Sequence, residues 1–294
     1  MLRRLELDIT LRLDGLLQGD HQGLVPGHGT EQGETRAYSP GDDVRRIDWN
    51  VTARLSQPYV RQTIAERELE AWVVVDRSAR IDFGTAACEK RDLVLAAAAA
   101  TGFLTNKDGN RIGAVLAGFP EPTTIAARGS KRHLLHLLHT IAESPRLEGT
   151  GRTDLARLLL HTGAVARRRG LVVVISDFWV DEGWLDPLRV LATRHQVLAV
   201  EVVDKRELEL PDVGLLAVVD PATGQQREIP THKPKVRQAY AAAASARREA
   251  LATDLRSARV DHLVLRTDQP WLDDLVGFIA KRRQRVIGSG GGRR

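Results

Sequence analysis

The apolar positions of the chain alternate between short continuous runs and longer stretches with helical spacing. Two of the runs, residues 71–75 and 171–175, contain no polar residue. An acid closes each of them, Asp76 directly in the first case and Asp177 after one serine in the second. Uninterrupted runs of this length are typical of strands that are buried on both faces of a parallel sheet. Helical stretches lie between such runs, which predicts an α/β fold with a doubly wound, mostly parallel sheet.

The same pattern predicts the domain limits and the remaining elements. One α/β domain spans residues 69–286, and a small, turn-rich and partly β segment, residues 1–68, precedes it and packs on it. The Gly-rich tail, residues 287–294, is predicted to be disordered. Further strands are predicted at 111–117, 123–127 (antiparallel), 197–203 and 262–266, with a hairpin at 215–219 and 226–229. Helices are predicted at 85–104, 131–141, 153–169, 183–195, 231–259 and 271–283.

Composition argues against several function classes. Lysines and arginines number 43 against 38 acids, and aromatic residues make up only 4% of the chain, so nucleic acid is not expected as a partner. The single cysteine, Cys88, excludes an internal disulfide and fits a reducing compartment. The longest apolar run, residues 93–104, is too short to cross a bilayer. We therefore expect a cytoplasmic protein without membrane insertion. No nucleotide is expected either, because the sequence lacks the Gly-Lys-Ser/Thr ending of a phosphate-binding loop.

The stretch from residue 36 to residue 54 combines a Pro-Gly turn signal with many charges. Its acids are Asp42, Asp43 and Asp48, and its nearby arginines are Arg45, Arg46 and Arg54. We favour ion pairs between the two sets, which would brace this segment against the domain or form an interface. The alternative is that the three acids hold a metal and serve a metal-dependent phosphodiesterase or nuclease. Val44, Ile47 and Trp49 are the side chains expected to be buried here.

Oxygen-bearing side chains follow the two buried strands, where an open α/β sheet usually binds its ligands. Asp76 and Ser78 come after the first run, and Asp177 comes after the second. Thr153, predicted to cap the helix that begins there, lies between them in sequence. Together these four residues would supply the sparse set of oxygen ligands that Mg²⁺ or Mn²⁺ accepts.

This set resembles the metal-ion-dependent adhesion site of von Willebrand factor A domains, which usually combines Asp-x-Ser-x-Ser with a Thr and an Asp. The preceding stretch resembles the hallmark of a bacterial family of unknown function that joins such a signature to a von Willebrand factor A-like domain. Its residues here are Arg36, Tyr38, Asp42, Asp43, Arg45, Asp48, Trp49 and Arg54. Many members are encoded beside MoxR-type AAA+ ATPases. The resemblance implies an accessory role with such an ATPase in assembling, activating or remodelling another protein.

The chain departs from the adhesion-site pattern at one position. Arg80 stands where the second Ser, a direct metal ligand, is expected. A guanidinium at this position can pair with Asp76 or Asp177 and take the place of the cation. The hypothesis is therefore that divalent metal binds weakly or not at all. Asp82 and Asp181 lie close in sequence and could instead repair the ligand set, and a relic without any binding role is the third alternative.

These observations predict a non-enzymatic binding or adaptor protein. Its sheet edge, formed by Asp76, Ser78, Arg80, Thr153 and Asp177, would engage an acidic side chain of a protein partner. Either a weakly held metal or Arg80 would supply the positive charge. The nuclease alternative instead predicts hydrolysis of a phosphodiester with Mn²⁺ that is lost in Asp43→Asn.

Overall fold

A small antiparallel pair of strands precedes the main sheet. In a computed structural model of the chain, the described residues are 35–39, 44, 47–55, 57–61, 69–105, 110–118, 121–146, 153–180, 182–219 and 224–290. Strand β1 (Thr35–Ala37) pairs with β2 (Tyr59–Arg61), and a short helix, α1 (Trp49–Leu55), lies between them in sequence. Ile47 forms a bridge to Val60, which ties the residues before α1 to this pair.

The apolar runs form the central strands of a six-stranded sheet. Its strands are β3 (Glu70–Val75), β4 (Arg111–Leu116), β5 (Thr123–Arg128), β6 (Gly170–Ser176), β7 (Gln196–Val203) and, after the hairpin, β10 (Asp261–Arg266). The spatial order is β10-β7-β6-β3-β4-β5. All neighbours are parallel except β4 and β5, which confirms the predicted antiparallel strand. The predicted hairpin forms a separate sheet of β8 (Leu215–Val219) and β9 (Gln226–Pro230).

Helices cover both faces of the sheet. On one face, α2 (Lys90–Thr105), α3 (Lys131–Ala142) and α7 (Trp271–Gly290) contribute leucines, alanines and isoleucines to a core cluster that includes Ala71, Val73 and Val75 of β3. On the other face, α4 (Leu155–Val165), α5 (Leu185–Arg194) and α6 (Pro234–Ser257) contribute to a second core cluster that includes Trp72 and Val74 of the same strand. The predicted fold class, a doubly wound and mostly parallel α/β sheet, is confirmed.

The strand order reverses between β3 and β6. The chain leaves β3 for β4 and β5 on one side and returns for β6, β7 and β10 on the other. In sheets of this order, ligands bind in the crevice at the carboxyl ends of the two strands that flank the reversal. Val75 and Ile175 pair in register at those ends. Asp76 and Asp177, which follow them, therefore lie at the same edge of the sheet.

Several predicted helix ends are wrong, and local contacts explain the two that matter for this edge. The second helix begins at Lys90 rather than at residue 85, because the backbone N–H and the hydroxyl of Thr85 both bind the Asp204 carboxylate. The fourth helix is capped by Asp154, which accepts from the Arg157 N–H, and not by Thr153. Helix α6 begins three residues later than predicted, at Pro234.

The last helix is longer than the sequence predicts. Helix α7 is described as far as Gly290, which overlaps the predicted tail, and residues 291–294 lie outside the described part. Within the described ranges, no helix combines the length and the apolar character that crossing a bilayer requires.

Candidate functional site

Asp76 is a buried carboxylate held by three uncharged donors. The residue is 1% exposed and directly follows β3. Its Oδ1 accepts from the Ser78 backbone N–H at 2.8 Å and from the Thr153 hydroxyl at 2.5 Å, and its Oδ2 accepts from the Ser176 hydroxyl at 2.6 Å. Burial and the nearby Asp177 charge raise the pKa of Asp76, and the three hydrogen bonds only partly oppose this. This half of the edge favours a neutral carboxyl.

Asp177 is equally buried, at 2% exposure, but its partners are cations. Its Oδ2 accepts from Lys90 Nζ at 2.8 Å and from Arg80 Nε at 3.2 Å, while its Oδ1 accepts from the Trp179 backbone N–H at 2.9 Å. Burial alone would raise the pKa of Asp177. The Lys90 and Arg80 charges outweigh that effect, and the pKa lies below its usual range. The predicted pairing of Arg80 with a site acid is confirmed.

A second carboxylate, Glu207, completes this charged cluster. Its Oε1 accepts from Lys90 Nζ at 2.7 Å and from Arg80 Nη2 at 3.4 Å. Its Oε2 accepts from the Asp204 backbone N–H at 3.0 Å, as part of a capping box on the 3-10 turn that follows. Two cations and two carboxylates thus alternate across the edge. Lys90, at 0% exposure, is the cation that both carboxylates share.

Asp204 is a third buried acid at a strand end, directly after β7. Its carboxylate accepts from the Thr85 hydroxyl at 2.6 Å, the Thr267 hydroxyl at 2.7 Å, and the backbone N–H groups of Thr85 and Arg206, each at 2.8 Å. Burial raises the pKa of Asp204, but the combined effect of these hydrogen bonds is larger and of opposite sign. The net shift of the pKa is therefore downward. Asp204 anchors the loop before α2 and so helps to position Lys90 at the start of that helix.

An aromatic ring from the loop after β6 meets two arginines at the mouth of the site, one from the turn after β3 and one from α6. Trp179 is 38% exposed, and the guanidinium carbons of Arg80 and Arg247 lie over its ring at 4.6 and 3.7 Å from the centroid. Arg247 Nη2 also donates to the Phe178 carbonyl at 2.7 Å. Phe178 adopts φ 52°, which is rare for a bulky residue and is held here by its N–H bond to the Ser176 hydroxyl at 3.0 Å. The mouth is therefore cationic and aromatic.

The four predicted metal ligands do come together, but their surroundings do not fit a divalent cation. Asp76 and Thr153 are bonded to each other, and Ser78 reaches Asp76 through its backbone N–H. An ion at Oδ2 of Asp177 would have to share an oxygen that already lies within 3.2 Å of an ammonium and a guanidinium, and Oδ1 already accepts from the Trp179 N–H. In the ranges that the structure covers, no group of three or more His, Cys, Asp and Glu residues forms a metal cluster.

The proposed repair of the metal set finds no support at Asp82. Its carboxylate pairs with Arg91 Nη1 at 2.9 Å. Asp181, the other candidate, lies outside the described residues.

The signature stretch is described only in part. Asp48 is buried and caps α1, accepting on Oδ1 from the backbone N–H groups of Asn50 at 3.0 Å and Val51 at 3.3 Å. Tyr38 donates its backbone N–H to the Pro58 carbonyl, and Arg54 is exposed in the last turn of α1. Asp42, Asp43, Arg45, Arg46 and the Arg36 side chain lie outside the described residues, as do the ion pairs predicted for them.

The prediction that Trp49 and Val44 are buried is wrong. Trp49 is 70% exposed and Val44 is also exposed, while Ile47 is half-buried. Trp49 is the first residue of α1, a helix with no buried residue. The short polar Asp48 before it is buried instead, because its carboxylate satisfies two N–H groups at the start of the helix.

Sequence reasoning missed most of the charged half of the site, namely Lys90, Glu207, Asp204, Trp179 and Arg247. One signal was available for Asp204, because residues 197–203 form a strand with a single polar residue, Glu201, and an acid follows it directly, as Asp76 follows residues 71–75. Lys90 gives no such signal. It lies in the charged run Glu89-Lys90-Arg91-Asp92, which is typical of an exposed helix start.

Comparisons with known proteins identify relatives along most of the chain. A family model described as "Protein of unknown function DUF58" matches residues 34–250. An uncharacterised protein of Mycobacterium bovis is 50% identical over 286 residues, which cover 97% of this chain and 90% of that protein.

Solved structures align with this chain at low identity. The conserved hypothetical protein BatB from Bacteroides thetaiotaomicron aligns with a TM-score of 0.43 and 13% identity, over 74% of this chain and 99% of that one. The VWA domain of SpRpn10 aligns with a TM-score of 0.42 and 12% identity, over 71% of this chain and 94% of that one.

Proposed function

The chain belongs to the DUF58 family, and from that premise we propose that it is a non-enzymatic adaptor that binds another protein at the sheet edge. The edge consists of Asp76, Ser78, Arg80, Thr153 and Asp177. Arg80 supplies the positive charge for an acidic side chain of the partner, in place of a metal ion. The partner is a MoxR-type AAA+ ATPase, and the pair acts in assembling or remodelling a further protein.

The position of Arg80 is the observation that carries this proposal. Its guanidinium is held by Asp177 and by the Trp179 ring, while 18% of its side chain reaches solvent. A planar guanidinium offers five donors in a fixed fork, and a carboxylate can bind two of them at once. Arg80 is thus pre-oriented towards an incoming acid. The cationic Arg247 beside the same ring favours the same ligand charge.

The state of the buried acids supports a binding role over a catalytic one. Asp76 is committed to three protein donors, and Asp177 to Lys90 and Arg80. A general acid or base must come within hydrogen-bond distance of its substrate, which these carboxyls do not offer at 1% and 2% exposure. For the nuclease alternative, one of its three acids, Asp48, uses Oδ1 to cap α1.

Co-purification from the native host tests the proposal. The tagged wild-type chain is expected to recover a MoxR-type ATPase, and Arg80→Ala is expected to lose most of it. Arg189→Ala is the matched control, because Arg189 is an exposed arginine on α5, in a surface pair with Asp186. Equal ATPase recovery with Arg80→Ala and the wild type would contradict the role of the edge. Mn²⁺-dependent phosphodiester hydrolysis that disappears in Asp43→Asn would favour the nuclease instead.

A further inference from the structure

A fully buried lysine lies at the centre of the charged cluster. Lys90 Nζ lies 2.8 Å from Asp177 Oδ2 and 2.7 Å from Glu207 Oε1, and the residue has 0% exposure. The two carboxylates come from different loops, one after β6 and one after β7. Carboxylate oxygens that converge from separate loops on one point are the arrangement that proteins use to bind a hard divalent cation. Here an ammonium occupies that point.

We propose that Lys90 is a built-in cation that replaces a divalent metal at this edge and makes the site metal-independent. Lys90, more than Arg80, is the residue that decides which cation the site holds. Its ammonium contacts both carboxylates at short range, while the guanidinium of Arg80 contacts them at 3.2 and 3.4 Å. The site would therefore hold a fixed cation of its own whatever the divalent cation concentration, and Arg80, which reaches solvent, would remain the cation that meets the partner.

The surrounding backbone explains why the ammonium is held in place. Lys90 is the first residue of α2, and its backbone N–H donates to the Phe83 carbonyl at 2.9 Å. Thr85 is bound through both its N–H and its hydroxyl to Asp204. The loop before α2 is thereby closed on the strand ends. A divalent ion at the same place would meet the ammonium at close range, and repulsion at such distances is strong in a water-poor site.

The test compares Mn²⁺ binding to five forms of the full chain by calorimetry. The wild type and Arg80→Ser should show no saturable binding. Arg80→Ser restores the hydroxyl of the adhesion-site pattern but leaves Lys90 in place. The double variant Lys90→Met, Arg80→Ser should show the saturable Mn²⁺ binding that both of these forms lack. Adding Asp177→Asn to the double variant should abolish this binding. Lys235→Met, which changes an exposed lysine on α6, is the control and should behave as the wild type.

Two results would overturn the proposal. One is saturable Mn²⁺ binding to the wild type or to Arg80→Ser that disappears with Asp177→Asn. The other is a double variant that is folded by circular dichroism yet binds no Mn²⁺. If the double variant does not fold, the Arg80→Ser variant decides. Mn²⁺ binding to Arg80→Ser would show that Lys90 does not exclude the metal, and a lack of Mn²⁺ binding to it would support exclusion by Lys90.

The inference rests on the proposed function only for the role of the cation in partner binding. The calorimetry contains no partner protein. Failure to recover an ATPase would therefore contradict the adaptor function alone, and a metal-binding wild type would contradict the Lys90 assignment alone.

Discussion

The two halves of the sheet edge, one around Asp76 and one around Asp177, stabilise a buried carboxyl group in different ways. Asp76 and Asp177 follow neighbouring parallel strands in register and are buried to within 2% exposure. Asp76 is held by hydroxyls and a backbone N–H, and its pKa is raised. Asp177 is held by an ammonium and a guanidinium, and its pKa is lowered. Burial acts on both acids in the same sense and to nearly the same degree, so the charge of the contacting groups accounts for the opposite directions of the two pKa shifts.

Asp76 therefore belongs to a network of neutral hydrogen bonds, and Asp177 belongs to a network of ion pairs. Neutral hydrogen bonds on the Asp76 side hold the loop of Thr153 against β3 and β6. The ion pairs on the Asp177 side hold α2 and the turn after β7 together and orient Arg80 towards solvent. Removing one ion should therefore affect stability more than removing one hydroxyl, because an uncompensated buried charge is left behind.

Lys90→Met should give the largest loss. The substitution keeps the length and apolar volume of the side chain but leaves the carboxylates of Asp177 and Glu207 without their shared cation. Breaking a buried ion pair from one side costs about 3–5 kcal/mol. We expect the free energy of unfolding from urea titration to fall by about this amount.

The control for Lys90→Met is a double-mutant cycle. Adding Asp177→Asn removes one of the orphaned charges, so the double variant should lose less stability than the sum of the two single variants. Additive losses, or a loss below about 1 kcal/mol for Lys90→Met, would show that the ion pairs do not hold this half of the edge.

Ser176→Ala tests the neutral half and should have a smaller effect. The change removes the donor to Asp76 Oδ2 and the acceptor of the Phe178 N–H. Leaving a buried polar group unpaired costs about 1–3 kcal/mol. Thr162→Ala on α4 is a matched control, because that buried hydroxyl donates to a carbonyl of its own helix, that of Leu158. Equal losses of unfolding free energy in the two variants would show that the hydrogen bonds of Ser176 stabilise the fold no more than an ordinary buried helix hydroxyl does.

The opposite pKa shifts predict opposite pH dependence. Because the folded-state pKa of Asp76 is raised, the folded protein binds the proton more tightly, and the contribution of Asp76 to stability falls as the pH rises above about 3.9 through the raised value. The lowered pKa of Asp177 gives a contribution that is complete above about pH 3.9 and is lost as the pH falls through the lowered value.

Urea unfolding from about pH 3 to about pH 7 measures both effects against neutral variants. With rising pH, Asp76→Asn should gain stability relative to the wild type. The stability of Asp177→Asn relative to the wild type should instead decrease as the pH rises towards about 3.9. Above that pH the difference in stability should stay constant. Parallel curves for the two variants would show that the two acids do not differ in ionisation.

The sequence predicted the neutral half of the site far better than the charged half. Two uninterrupted apolar runs are enough to predict parallel strands, and parallel strands bring Asp76 and Asp177 to one edge. The burial of Lys90, by contrast, depends on the Thr85–Asp204 contact, which joins residues 119 positions apart. No local pattern encodes such a contact. Thr153 was predicted at the right place with the wrong partner, because Asp154 provides the cap and frees the threonine hydroxyl for Asp76.

The smallest loss of stability is expected for Ser78→Ala. This variant of a predicted metal ligand distinguishes the contribution of the Ser78 backbone N–H from that of its hydroxyl. Asp76 accepts from the Ser78 N–H, and an alanine keeps that donor. The free energy of unfolding should therefore change by less than about 1 kcal/mol. Thr153→Val, which removes a hydroxyl that does bind Asp76, should cost more in the same urea titration. A Ser78→Ala loss as large as that of Thr153→Val would mean that the Ser78 hydroxyl itself holds the edge. The neutral half would then consist of the Asp76 carboxyl and three side-chain hydroxyls, instead of a carboxyl with two hydroxyl donors and one backbone donor.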